Sequence, residues 1–270
     1  MKKILVLIVI LCSLFVISSC GGGGGGIGGD DTGGVTGNGD NGGGPETGNG
    51  LDESLADVGV MKSIVLDSGL GFSYAITTTE KIIILGLTTD GEQMSSISIP
   101  SYIDGKEVVA IGEAAFEEAC SGLTSIILPD TVKDIRHHAF SGCHGLTSIN
   151  IPSNIIRIGA YAFRECSNLV LELSLPSSLK ILGSCAFFLC QGLYGTLTIP
   201  NGIRYLESGT FSNCSGITTV IMQNTTPPIA GSNIFNSCTA LTAIRVPSES
   251  VDTYKSAPGW STYSSKIVEY

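Results

Sequence analysis

From Ser95 onward the chain repeats itself every 23 to 24 residues, and this periodicity restricts its fold more than any other feature. Aligning on Phe116, Phe140, Phe163, Phe187, Phe211 and Phe235 brings Cys120, Cys143, Cys166, Cys190, Cys214 and Cys238 into phase. One unit reads LTSIILPDTVKDIRHHAFSGCHG from Leu123, and the next reads LTSINIPSNIIRIGAYAFRECSN from Leu146. A period in the twenties is the signature of stacked coils. A single unit cannot bury its own apolar face, so stability must come from neighbours stacked on one another.

Within each unit, Leu-x-x-Ile-x-Leu/Ile-Pro predicts a short strand alternating in and out. The inward columns are Ile97, Ile126, Ile149, Leu173, Leu197, Val220 and Ile244, then Ile99, Leu128, Ile151, Leu175, Ile199, Met222 and Val246. Proline ends most strands, at Pro100, Pro129, Pro152, Pro176, Pro200 and Pro247, because it has no N–H for the next ladder bond. A second apolar pair follows (Val132/Ile135, Ile155/Ile158, Leu179/Leu182, Ile203/Leu206), then one helical turn carrying the Phe and the Cys. With parallel strands about 4.8 Å apart, seven strands make a stack of roughly 30 Å.

The Leu-x-x-Ile-x-Leu-Pro run, the Ile-Gly before Ala-Phe (Ile158-Gly159 to Ala162-Phe163) and the Cys after each Phe closely resemble the BspA-like branch of leucine-rich repeats. The resemblance implies an α/β leucine-rich-repeat solenoid over 95–247, with a parallel β-sheet and one short helical turn per repeat. Thr210 in place of Ala, the TTPPI stretch Thr225 to Ile229, and one extra residue in Leu169 to Leu175 depart from the pattern. Exposed ends need covers. In the 59–94 segment, Phe72 to Ile76 and Lys81 to Leu87 predict a β-hairpin N-terminal cap, and Asp104-Gly105 a tight turn. In 248–270, Ser248 to Ala257 predicts a short helical C-terminal cap stopped by Pro258-Gly259, with Trp260, Tyr263 and Ile267 covering the last coil.

Residues 1–19 read as an export signal: Lys2 and Lys3, then an apolar run from Ile4 to Ile17 that is shorter than the about 20 residues a spanning helix needs. Ile17-Ser18-Ser19-Cys20 resembles the bacterial lipobox, with Ile where Leu is more usual. That resemblance implies acylation of Cys20, the lipid attachment site, and two or three acyl chains anchor stably where one does not. Gly-rich residues 20–58 then predict a disordered tether, since they cannot bury enough apolar surface to offset chain entropy. As a coil, thirty such residues span on the order of 30 Å. They are no phosphate loop, for no strand precedes them and no Lys-Ser/Thr follows.

The net charge of -10 argues against nucleic-acid partners. No cofactor is implied. In-phase cysteines on adjacent coils are held about 5 Å apart with parallel side chains, beyond disulfide reach, which predicts buried free thiols. Cys185 is out of phase, in the column of His138, Tyr161 and Gly209, and is expected to be partly exposed and the most reactive. His137, His138 and His144 cluster near Cys143, but their spacing fits no standard zinc pattern, so no metal site is assigned. No nucleophile elbow or paired-carboxylate motif stands out, so no catalytic residue and no enzyme activity is expected.

Function is therefore expected on the outward strand face. The candidate residues are Ser125, Ile127, Ser148, Asn150, Glu172, Ser174, Thr196, Thr198, Thr219 and Ile221, mostly hydroxyl and nearly uncharged. Such groups bind amides or sugars, which fits a protein or glycan ligand; equally, Ser and Thr suit any solvated sheet surface. Similarity to BspA-like adhesins implies display at the cell surface and contact with host matrix or other microbes, and Gly21 in place of Asp after the lipid-bearing Cys20 favours, by analogy with lipoprotein sorting, the outer membrane. The alternative is an envelope structural lipoprotein with no host ligand.

Overall fold

The computed structural model describes residues 58–66, 68–88, 94–117 and 122–270. The signal segment, Cys20, nearly all of the Gly-rich tether and Cys120 lie outside them. Three antiparallel strands open the fold: β1 (Val58–Val65), β2 (Gly71–Thr77) and β3 (Ile82–Leu87). The β2/β3 hairpin is the one expected from the sequence; β1 adds a third strand. The first coil carries β4 (Ser96–Ser98), β5 (Tyr102–Ile103) and β6 (Lys106–Ile111). Between β5 and β6 the loop is Asp104-Gly105, with φ of 50° and 73°. Positive φ at both positions is what a two-residue antiparallel hairpin requires. β3 pairs in parallel with β6, so the cap runs directly into the solenoid.

Each later coil lays strands into two rows. The chain passes through β7 (Ser125–Ile127), β8 (Asp134–Ile135), β9 (Ser148–Ile149), β10 (Arg157–Ile158), β11 (Ile181–Leu182), β12 (Tyr194–Ile199), β13 (Tyr205–Leu206), β14 (Gly216–Met222), β15 (Ile229–Ala230) and β16 (Ala243–Val246). The first row, from the Leu-x-x-Ile-x-Leu-Pro runs, is in two pieces, β4-β7-β9 and β12-β14-β16. The second row, from the second apolar pairs, runs β3-β6-β8-β10-β11 and then β13-β15. All pairings between coils are parallel. The prolines open the turn joining the rows: Pro129, Pro152, Pro176 and Pro200 each accept an N–H from three residues on, at 3.0 to 3.1 Å.

The expected inward columns are buried, apart from the half-buried Ile151. The six phenylalanines form one stack, with successive ring centroids 5.1 to 5.8 Å apart and planes within 13° of parallel. Each such contact adds about 0.5–1.5 kcal/mol beyond the area it buries. Beside it runs the cysteine column, whose thiols donate to the carbonyl of the Phe one coil back: Cys143 to Phe116, Cys166 to Phe140, Cys190 to Phe163, Cys214 to Phe187 and Cys238 to Phe211, at 2.9 to 3.2 Å. These thiols are buried. The Ile-Gly of the repeat also has a physical reason, for a Cβ on Gly183 would lie 2.4 Å from the backbone nitrogen of Ala160.

After Pro247 a 3-10 turn at Ser248–Ser250 leads into α1 (Val251–Ser256), then a second 3-10 segment at Ser261–Lys266 and β17 (Ile267–Glu269). β17 adds a parallel strand beside β16. Trp260 is fully buried, its indole N–H donating to the Pro228 carbonyl at 2.7 Å and its ring edge-on to Tyr254. That makes it a cap, and it gives the irregular Thr225–Ile229 stretch a structural task.

Candidate ligand-binding face

The register of the first row fixes the outward columns. Ser96, Ser125 and Ser148 are Cα partners in sequence, as are Thr196, Thr219 and Ala243, and Thr198, Ile221 and Arg245. Ser148 Oγ donates to Ser125 Oγ at 3.0 Å. Ser148, Asn150, Glu172 and Ser174 are exposed, Ser125, Thr196, Thr198, Thr219 and Ile221 half-buried, and Ile127 is 54% exposed. The only charged residues in the two columns are Glu172, a candidate, and Arg245.

Two candidates are occupied by the fold. Asn150 copies a neighbouring strand: its Oδ1 accepts the Leu128 N–H at 2.7 Å and its Nδ2 donates to the Leu128 carbonyl at 2.8 Å. Glu172 Oε1 accepts the Thr196 N–H at 3.5 Å, doing backbone work in the coil with the extra residue. In that coil the first row is reduced to two isolated bridges, Leu171 with Leu193 and Ser174 with Thr198. The face is thus two patches, one centred on Ser125, Ile127 and Ser148 and one on Thr196, Thr198, Thr219 and Ile221.

Val170 and Tyr194 were missed by the sequence argument, and both lie beside this break, 62% and 50% exposed. In repeat phase they stand where Thr124, Thr147, Thr218 and Thr242 stand. Those four threonines donate their hydroxyls to carbonyls of the preceding coil, at 2.9 to 3.1 Å. Replacing that inert ladder by a branched aliphatic and an aromatic creates contact area, and the substitution was visible in the alignment of units.

The expectation for Cys185 is overturned. Its side chain is 1% exposed, with Sγ 3.6 Å from the Ser208 carbonyl, because the turn in which it sits is covered by the next coil, where Gly209 has no side chain to displace it. Burial also pushes the in-phase thiols up: Cys190 and Cys214 well above the ordinary range, and Cys238 to about 11. His138 stacks on Tyr161 at 4.9 Å and meets Glu117 Oε1 at 3.1 Å. Among the described residues no three His, Cys, Asp or Glu side chains gather as metal ligands. In the second row, Asp134 is buried and takes a two-pronged contact from Arg157 and a third from Arg136. Breaking such a pair costs about 3–5 kcal/mol because it strands a buried charge.

The sequence matches the family described as "BspA type Leucine rich repeat region" in six copies, over residues 90–171 and 170–258. No curated protein matches it. Among solved structures it is similar to the T. pallidum Leucine Rich Repeat protein (28% identity, 65% of this chain and 89% of that one, TM-score 0.52). It is also similar to a leucine rich cell surface protein from Faecalibacterium prausnitzii A2-165 (25% identity, 71% of this chain and 55% of that one, TM-score 0.53). The Pneumococcal vaccine antigen PcpA shares the fold at 21% identity, over 73% of this chain and 47% of that one, with TM-score 0.53. The family match covers more than half of the 270 residues, in the same units that stack their Phe and Cys columns through the core; the chain belongs to the BspA-type leucine-rich repeat family.

Proposed function

We propose that this protein is a bacterial cell-surface binding protein, anchored by acyl chains on Cys20, that presents its first-row outward face to a protein or glycan. The observation carrying this reading is the half-buried to exposed, nearly uncharged hydroxyl surface repeated on successive coils, with Ile127, Val170 and Tyr194 standing out of it. Hydroxyls give directional but weak bonds, and scattered apolar side chains give the desolvated contact that binding energy concentrates on. Membership of a family with a cell surface protein among its solved relatives supports display, and a broad sheet face suits binding more than catalysis.

The test is binding to a panel of matrix proteins and glycans by the parent and by a variant carrying Ser125→Lys, Ser148→Lys, Thr196→Lys and Thr219→Lys. The variant should keep its thermal stability and lose at least about tenfold in affinity, since four cations replace neutral hydrogen-bonding groups in the contact. Equal affinity would remove the strand face as the site. Protease treatment of intact cells checks display: a fully protected domain would favour the envelope structural lipoprotein.

A further inference from the structure

The turns carrying the Phe and Cys columns are joined by a third hydrogen-bond ladder, and that ladder has a direction. In the fully described turns that have a following coil, three N–H groups donate to its carbonyls. Tyr161, Phe163 and Glu165 donate to Ser184, Ala186 and Phe188; Cys185, Phe187 and Leu189 to Ser208, Thr210 and Ser212; Gly209, Phe211 and Asn213 to Ser232, Ile234 and Asn236, all at 2.8 to 3.0 Å. The first and third donors sit at positive φ in every one of these turns, from 52° to 66°. That repeated geometry points all three toward the next coil.

The last turn has the same shape and no next coil. Its donors are Asn233 (φ 59°), Phe235 and Ser237 (φ 57°). The C-terminal cap satisfies the middle one alone, with Tyr263 Oη accepting the Phe235 N–H at 3.1 Å. Asn233 and Ser237 are exposed, and among the described residues their N–H groups have no acceptor within the protein. Both residues line a cavity of about 470 Å³ between this turn and the cap. It is an open groove, of a size to seat one or two sugar rings with one side in solvent.

The lining states the chemistry. The half-buried Tyr263 ring lies over the buried Phe235, and the exposed Asn236, Thr262 and side chains of Asn233 and Ser237 provide amides and hydroxyls. No carboxylate lines the cavity, and its one charged group is Lys266, which donates to the Leu241 carbonyl. Unpaired backbone donors take acceptor oxygens, and amide and hydroxyl side chains both give and take hydrogen bonds, the pairing that a sugar's hydroxyls and ring oxygen offer. We propose that the open end of the last coil is a saccharide site, taking a one- or two-ring sugar whose oxygens accept from Asn233 and Ser237. It lies on a different surface from the strand face and does not depend on it.

The full-length, 15N-labelled chain is studied by NMR with glucose, N-acetylglucosamine and glucuronate as probes. The free protein should exchange the Asn233 and Ser237 amides at least about 100-fold faster than Gly209 and Asn213, their partnered equivalents, as groups outside the ladder must. A bound sugar should shift those two amides saturably, with a dissociation constant on the order of 1 mM, and move the Phe235 amide far less. Thr262→Trp, filling the cavity mouth, should weaken binding about tenfold or more, and Lys266→Gln should weaken glucuronate alone. Should the tryptophan variant fail to fold, Asn236→Ala takes its place with the same expectation. Amides of Asn233 and Ser237 as protected as Gly209 and Asn213, no saturable shift with any of the three sugars, or full affinity in a folded cavity variant would each overturn the assignment.

Discussion

At the first coil the solenoid is closed by β3, which adds a parallel strand to the second row; at the last coil it is closed by β17, which adds one to the first row, with Trp260 set against Pro228 beside the second. The turn ladder explains why the two covers differ. Every donor in it faces forward, so the first coil offers carbonyls and the last offers N–H groups. At the front, cap backbone lies so close to the turn that a Cβ on Gly86 would sit 2.8 Å from the Ala115 carbonyl oxygen. At the back, a single tyrosine hydroxyl meets one donor of three. A solenoid built of identical units therefore has chemically unlike ends, and each end needs its own closure for each of its columns.

The largest effect should come from removing a cap anchor. Trp260→Ala empties a fully buried site and is expected to cost about 3–5 kcal/mol, and Phe72→Ala at the other end a comparable amount. Hydrogen exchange separates the two lesions. Trp260→Ala should deprotect the coils of β14 to β16 first, and Phe72→Ala those of β6 to β8, as nearest-neighbour stacking demands. Uniform loss of protection from either variant would show that the ends are not independent.

A smaller effect sets the ends apart by pH. Near the last coil, burial holds the Cys238 thiol up at about 11 from the ordinary 9.0 and also raises Tyr254 and Tyr263. An unfolded chain loses these protons first, so it binds fewer protons than the folded one and stability falls as pH rises. The contribution is complete below about pH 9 and lost as pH climbs toward 11, on the order of 2–3 kcal/mol for Cys238 alone. Urea midpoints between pH 8 and 11 should drop steeply in the parent and less in Cys238→Ala. Equal slopes would mean that this thiol does not drive the alkaline loss.

What was legible in the sequence were the features that recur. Ile126, Ile149 and Leu197 declare an inward column because a period of two and a period of 23 to 24 residues coincide on them. The Asp104-Gly105 turn was legible for a local reason, since few other pairs take positive φ twice. Features that occur once were not. The split of the strand face follows from one extra residue near Val170, whose effect on pairing depends on coils either side. Cys185 looked exposed because its column holds His138 and Tyr161, yet its burial depends on the side chain its next neighbour lacks. The open donors of Asn233 and Ser237 lie beyond any side-chain pattern, because backbone groups leave no mark in a sequence until the ladder they belong to is seen to end.

The smallest effect bears most directly on that ending. Tyr263→Phe keeps the ring that meets Phe235 edge-on at 5.7 Å and removes only the hydroxyl that accepts its N–H. The expected loss is about 0.5–1.5 kcal/mol, the net value of one hydrogen bond, so the fold should persist. The Phe235 amide, slow in the parent, should then exchange as fast as those of Asn233 and Ser237, giving the last turn three open donors in place of two. If it stayed slow, the hydroxyl would not be what closes the ladder, and the contrast between a first turn packed against cap backbone and a last turn met by one side chain would fall with it.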